Sequence, residues 1–302
     1  MSNFTHLHLH SEYSLLDGAN QIKKLAKRLK ELNMKSVALT DHGCMFGALD
    51  FYINMLKEGI KPIIGIETYI HNDEDLGSKN PLRFHLCLYA KNLTGYKNLM
   101  YLSSQAYING FYKSPRLNKK ILKEHSNGLI CSSACLQGEV NYHLNTISQR
   151  NNAKGFEYAK KVALEYQDIF GDDFYLEIMR HGILEQRFID EQIINISTQT
   201  GIKIIATNDT HYTTKKDSFS QEVLMCISTG KTLKDDNRLK HSVNEFYIKS
   251  CEEMERLFVD IPDALTNTQE LVDKCNLIID LKSIEIKDPN GNIITKNTPP
   301  TA

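Results

Sequence analysis

The sequence predicts an α/β barrel of roughly seven strands, and three observations lead there. Short apolar runs alternate with amphipathic helical stretches, the rhythm of a mostly parallel sheet with helical crossovers. At 302 residues the chain is long enough to close that sheet on itself. Residues able to hold metals recur just beyond one strand after another, where α/β barrels gather their sites.

The first strand, Phe4–Leu9, opens on HLHLH, so His6, His8 and His10 lie two apart and share one face. Asp17 and Gly18 read as a turn and Asn20 as the cap of a helix over Gln21–Leu32. Strand Ser36–Thr40 runs into Asp41 and His42, followed by a helix over Met45–Lys57. Strand Pro62–Ile66 leads to Glu67, and strand His85–Ala90 carries His85 at its start rather than its end. Either that boundary is displaced or the strand runs the opposite way. Helices follow at Gly95–Ile108 and Lys119–Lys123, then strand Gly128–Ser132 leads to Cys135. After helix Gly138–Leu144, the helix Ala153–Ile169 shows a one-sided stripe of Phe156, Ala159, Val162, Ala163 and Tyr166. Strand Phe174–Met179 ends at Arg180 and His181, helix Leu184–Thr200 follows, and strand Ile202–Thr207 ends at Asp209 and His211. Beyond residue 212 the rhythm changes to helices at Phe219–Ser228, Glu252–Phe258 and Ala264–Lys274, with one short strand at Phe246–Lys249. The expected organisation is a barrel over 1–212, a helical appendage over 213–283 and a polar, turn-prone tail over 284–302.

Composition narrows the function classes. A formal net charge of −1 provides no global field for nucleic acid, so any polyanion contact must be local or carried by metals. Lys113, Arg116, Lys119, Lys120 and Lys123 place five cations in eleven residues without an acid, either a solvated face or a phosphate-facing patch. Seven cysteines without a CxxC pair, no basic-then-apolar leader and no apolar run near the ~18 residues of a membrane span point to a reducing cytoplasm and no membrane. No GxSxG, Walker or GxGxxG pattern is present, which leaves covalent serine chemistry and nucleotide-fold readings unsupported.

Taken singly, the candidate ligands have ordinary explanations. His6 reads as a core or supporting histidine, Asp41 as a group orienting His42 from behind, and Cys135 alone as a buried small residue. Arg180 reads equally as a phosphate contact or a structural ion pair, with His181 beside it as a second phosphate contact. Taken together at successive strand ends, His8, His10, His42, Glu67, Cys135, Asp209 and His211 exceed what one tetrahedral metal needs. More than one cation is implied, and closely spaced cations suit phosphoryl displacement. His10, Asp209 and His211 are the expected catalytic residues.

HLHLHSEYSLLDG, SVALTDHGCMFGALDFY, KPIIGIETYI, FHLCLYAKNLTGYKNLM, SSACLQGEV, FYLEIMRHG, ATNDTHY and QEVLMCISTGKTLKDDNRLKHSVNEFYIKSCEEMERLF resemble, in order, the polymerase-and-histidinol-phosphatase (PHP) domain. The LLDG, GYKNLM, CLQGEV and QEVLMCISTGKTL segments are similar to its branch at the start of bacterial DNA polymerase III α subunits. The resemblance implies a distorted seven-stranded barrel holding three divalent ions (zinc, manganese, iron or magnesium). It implies ligands at His8, His10, Asp17, His42, Glu67, His85, Cys135, Asp209 and His211. It also implies 3′–5′ exonuclease activity on a DNA primer 3′ end, with the remaining polymerase domains or other replisome subunits as partners. The palm carboxylates of nucleotide addition have no counterpart before Ala302, so a fragment, a split-gene piece and a free-standing protein all fit. A non-catalytic scaffold stiffened by metal is the second expectation, and a small-molecule phosphatase the third.

Overall fold

The computed structural model describes residues 4–145, 153–281, 286–287 and 293–295. After the extended segment 4–10 come β1 (Ser36–Leu39), β2 (Lys61–His71) and β3 (Phe84–Ala90), then a hairpin of β4 (Phe111–Tyr112) and β5 (Ser114–Asn118), then β6 (Leu129–Ser132), β7 (Phe174–Met179) and β8 (Ile204–Thr207). β2 pairs with β1 in parallel, as β7 does with β6 and β8, while β3 runs antiparallel to β2 and β6. That reversal brings His85, the second residue of β3, to the same end of the sheet as the C-terminal ends of the other strands.

Segment 4–10 curls the sheet into a seven-membered ring. Ala38 N donates to His6 O and Thr40 N to Leu9 O on one side; His10 N donates to Thr210 O and Thr210 N to His8 O on the other, at 2.8–3.0 Å. The regular strand expected over Phe4–Leu9 is therefore replaced by an extended run with isolated bridges at Leu9 and Ser11. In a regular strand the carbonyls of His6 and His8 would face one neighbour; here they serve opposite neighbours, so the HLHLH row is twisted apart between them. The run expected as a strand at Phe246–Lys249 likewise forms no regular strand; it joins the segment after β8 through a Tyr212–Tyr247 bridge and a bond from His211 N to Phe246 O at 2.8 Å.

The helices sit where the apolar spacing places them. α1 (Ile22–Glu31) buries Ile22, Leu25, Ala26 and Leu29. Its N-cap is Gln21; Asn20 instead uses its amide to bridge His10 O and Thr210 O. α2 (Ala48–Lys57), α3 (Leu93–Ile108), α4 (Lys119–Glu124), α5 (Glu139–Asn145), α6 (Ala153–Phe170) and α7 (Leu184–Thr200) follow between strands. α6 buries Ala159, Val162, Ala163 and Tyr166 of the expected stripe. Beyond the ring lie α8 (Ser218–Thr229), α9 (Cys251–Leu257) and α10 (Asp263–Lys274). Met254, Phe258, Ala264 and Leu265 belong to the same apolar core as the barrel residues, and Thr268 Oγ1 accepts from Thr5 N at 3.1 Å. In the tail, β9 (Ile286–Lys287) pairs antiparallel with β10 (Ile293–Thr295); its other residues lie outside those described. No helix among the described residues is long and apolar enough to cross a membrane.

Two sequence expectations are corrected here. β2 continues five residues past Ile66, so Glu67 lies within a strand rather than after one. The five-cation run is not a single patch. The Arg116 guanidinium is buried on the carbonyls of Gly110, Asn80 and Ser78, Lys119 pairs with Glu139 and Glu165, and Lys123 pairs with Asp168.

Gly95 marks where α3 presses on the loop before β6: a Cβ there would lie 1.9 Å from Gly128 O. Gly95→Ala forces backbone apart in a packed region, and denaturant unfolding should register a loss of about 1–3 kcal/mol. An unchanged midpoint would show that the contact is not a constraint.

Candidate metal centre

At the end of the barrel where strands β1, β2 and β8 finish, nine side chains from distant stretches come together. Segment 4–10 supplies His8 and His10, and the loop before α1 supplies Asp17. The turn after β1 gives His42, β2 gives Glu67, and β3 gives His85. The loop after β6 contributes Cys135, and the segment after β8 contributes Asp209 and His211. All the residues expected as ligands meet there.

Glu67 is at the centre and fully buried. Its Oε1 lies 2.7 Å from His85 Nδ1 and 3.2 Å from His8 Nε2; its Oε2 lies 2.5 Å from His42 Nδ1 and 3.7 Å from His10 Nε2. Asp209 Oδ1 stands 3.1 Å from His10 Nε2, 3.4 Å from His8 Nε2 and 3.6 Å from His211 Nδ1. Asp17 Oδ2 is 3.0 Å from His42 Nε2 and 3.5 Å from His211 Nε2. Cys135 Sγ reaches His85 Nδ1 at 3.5 Å and Glu67 Oε1 at 3.8 Å. The His10 and His42 rings stack at 3.9 Å between centroids.

Such a concentration of buried titratable groups shifts several of the proton equilibria in it. Burial alone would raise Glu67, but His85, His42 and His8 hold it well below the usual carboxylate range. Burial disfavours charge on His42, yet Glu67 and Asp17 outweigh it and raise that imidazole to about 10. His10 goes the other way, lowered to about 3 by burial and by His42 and His211. Burial, then Glu67 and Asp209, pushes the Cys135 thiol up. Two buried atoms, His42 Nδ1 and Glu67 Oε2, have no hydrogen-bond partner although they face each other at 2.5 Å. Four subsets bring three ligand atoms within 4.8 Å of one another: His10–His42–His211, His8–His10–Asp209, His42–Glu67–His85 and His8–Glu67–Cys87. Five imidazoles, three carboxylates and a thiol fit divalent transition ions of borderline softness.

The surroundings fix the geometry. Asp41 accepts from Ser11 N, Ser11 Oγ and Ser14 Oγ at 2.7–2.8 Å. Ser14 Oγ in turn accepts from His42 N and lies 3.2 Å from His10 Nδ1, so Asp41 acts on both histidines through Ser14. Gly18 permits the Asp17 turn: a Cβ there would sit 2.1 Å from Ser11 O. Asp209 itself adopts φ 41° and Ala134, beside Cys135, φ 59°, uncommon conformations for residues with a Cβ.

Sequence reasoning missed Glu177. It is buried on β7, 2.7 Å from His8 Nδ1, and accepts from Ser132 and Thr207 hydroxyls. A carboxylate on the far ring nitrogen fixes a ligating histidine's tautomer and aim. The signal was there in FYLEIM, a lone acid inside an otherwise apolar strand. Cys87 was also missed, two residues from His85 on the same face of β3 and 3.5 Å from His8 Nδ1.

Three expected residues stand apart from the cluster. His6 places Nε2 on Lys249 O at 2.9 Å, a consequence of the twist in HLHLH. Arg180 is committed to Asp190, Asp260 and the Leu257 carbonyl, which corrects the phosphate-contact reading in favour of the ion pair. His181 has both ring nitrogens engaged, Nε2 with Asn208 O at 3.0 Å and Nδ1 with Gln186 Nε2 at 2.8 Å, so it too is a structural group rather than a phosphate contact.

Burial lowers both His6 and His181 to about 4. The unfolded chain takes up those protons near pH 6.5 and the folded chain only near 4, so stability is full above 6.5 and declines as pH falls through that window. Each histidine contributes at most about 1.4 kcal/mol per pH unit. Urea midpoints in chelator should drop between pH 7 and 5, and less steeply in His181→Gln; parallel curves for the two proteins would refute the His181 contribution.

The PHP domain family model matches residues 6–181. The chain is 70% identical over 290 residues to the DNA polymerase III subunit alpha of Helicobacter pylori, covering 95% of this chain and 24% of that protein. It is 63% identical to that of Campylobacter jejuni (93% and 24% covered) and 46% identical to that of Borreliella burgdorferi (91% and 24%). The chain thus spans about a quarter of the length of the curated relatives it matches. Among solved structures, an amidohydrolase from Chromobacterium violaceum shares 12% identity and a TM-score of 0.45 over 68% of this chain and 87% of its own, too slight a likeness to argue from. With the family model spanning more than half its residues, the chain belongs to the PHP domain family.

Proposed function

We propose that the cluster holds up to three divalent cations and hydrolyses phosphodiesters, acting on the 3′ end of a DNA strand within a polymerase III α subunit. One observation carries the reading: the two oxygens of Glu67 face two separate imidazole pairs, His8 with His85 and His10 with His42. A carboxylate so placed suits bridging neighbouring cations, the arrangement for in-line displacement at phosphorus. The ligands would be His8, His10, Asp17, His42, Glu67, His85, Cys135, Asp209 and His211. When bound, such ions neutralise phosphate charge and make water nucleophilic near neutral pH.

The chain's own groups divide the remaining tasks. Glu177 keeps His8 aimed inward, and Asp41 with Ser14 does the same for His10 and His42. Substrate must arrive from the Asp17–His42 side, because the Asp17 and His42 side chains are 32% and 20% exposed whereas those of His8, His10 and Glu67 are wholly buried. His10, Asp209 and His211, packed together beneath that opening, are the residues that would sit against the reacting phosphate. We read residues 1–212 as the catalytic barrel and 213–283 as helices packed on it. The relatives' names support polymerase domains and replisome subunits as partners.

His10→Ala and Asp209→Ala should each lower manganese- or zinc-dependent degradation of a 3′-mismatched primer by at least about 100-fold while remaining folded. Undiminished turnover would end the nuclease reading. Glu177→Gln, which keeps shape but loses charge, should weaken metal affinity about 10–100-fold by calorimetry. Chelator should lower the melting temperature; metal-dependent melting without any primer degradation would favour the scaffold instead.

A further inference from the structure

Beside the cluster, and continuous with it through Asp17 and His42, lies a cleft of about 390 Å³. One wall is a row of three rings: Phe46 to Tyr107 at 6.4 Å between centroids, and Tyr107 to Phe111 at 6.1 Å with planes 24° apart. They are 64%, 41% and 57% exposed, an apolar surface left open next to a buried charge cluster. Three separate stretches build it, since Phe46 precedes α2, Tyr107 lies in the last turn of α3 and Phe111 starts β4. At its edge is Lys113, the one cation of the basic run that lines the cleft, exposed and without an acidic partner among the described residues. Lys113 and Leu16, both lining the cleft, adopt left-handed backbone at φ 63° and 61°, costly for bulky side chains.

Flat apolar faces, a lone cation and an opening onto acid and imidazole groups match one ligand chemistry: an unpaired nucleobase attached to a phosphodiester. Every base has a π-face, so stacking on aromatic walls tolerates any sequence, while a lysine at the rim tracks the backbone. In a duplex those faces are covered by neighbouring pairs. We propose that the Phe46–Tyr107–Phe111 wall stacks the unpaired bases of a single-stranded 3′ end, with Lys113 on their phosphates, and thereby presents the terminal phosphodiester to the Asp17–His42 edge. This deepens the phosphodiesterase reading and rests on it for the chemistry, though not for the binding.

The chain contains no tryptophan, so Phe46→Trp installs a single reporter in the wall. In chelator, an eight-residue oligothymidylate should quench that indole saturably, whereas an abasic strand of equal charge and a blunt duplex should not. Adding Tyr107→Ala and Phe111→Ala should raise Kd about tenfold or more, equivalent to about 1.4 kcal/mol. Quenching that is absent, equal with the abasic strand or duplex, or unaffected by loss of the two rings would overturn the proposal and leave the wall to a protein partner. With manganese, Phe46→Ala/Phe111→Ala should raise KM for a single strand about tenfold yet leave kcat/KM for methyl p-nitrophenyl phosphate unchanged. Equal losses on both substrates would overturn it too. Failure of the unaltered chain to hydrolyse either substrate would refute the phosphodiesterase reading instead, while the quenching still decides the wall.

Discussion

A carboxylate wholly removed from water is unstable unless its charge is met by partners, and Glu67 is met by four imidazoles. That requirement organises the upper end of the barrel. The three chain segments that deliver these histidines must all reach one strand residue, at 2.5–3.7 Å. Each is locked by its own backbone pairing: segment 4–10 between β1 and the run after β8, His42 through its bridge to Glu67, and His85 through the β2–β3 ladder. Removing one partner would leave buried charge unopposed, and Asp41, Ser14 and Glu177 hold those partners in place by hydrogen bonds from behind.

The same constraint explains the irregularities of the fold. A regular first strand would send His6 and His8 in one direction; dividing its carbonyls between two neighbours turns His8 and His10 toward Glu67 and leaves His6 on a backbone carbonyl. A parallel β3 would have carried His85 to the opposite end, so the antiparallel strand is what brings its imidazole to the cluster. Positive φ at Asp209 and Ala134 falls where the chain must turn a ligand-type residue inward, and that at Leu16 and Lys113 where it borders the adjoining cleft.

Much of this was legible beforehand, for a physical reason. Apolar periodicity reports which side of an element meets the core, so the helices of the barrel and most strands were recoverable, as was the stripe on α6. Polar residues just past apolar runs reported the functional end. Less visible were features without periodicity. The β4–β5 hairpin contains Pro115 and Arg116 and has no apolar alternation, and Glu177 was masked by the motif that contains it. Arg180 sat at a strand end like the true members of the cluster, yet its partners Asp190 and Asp260 come from elsewhere in the chain.

The amino-acid order alone determined that this is an α/β barrel with acids, imidazoles and a thiol at successive strand ends, because those properties depend on local spacing and residue chemistry. Strand direction in β3, the choice of His8 and His10 over His6, the fate of Arg180 and the aromatic cleft were decided only in three dimensions. They depend on backbone pairing and charge matching between segments up to 243 residues apart, and no local pattern encodes such a meeting.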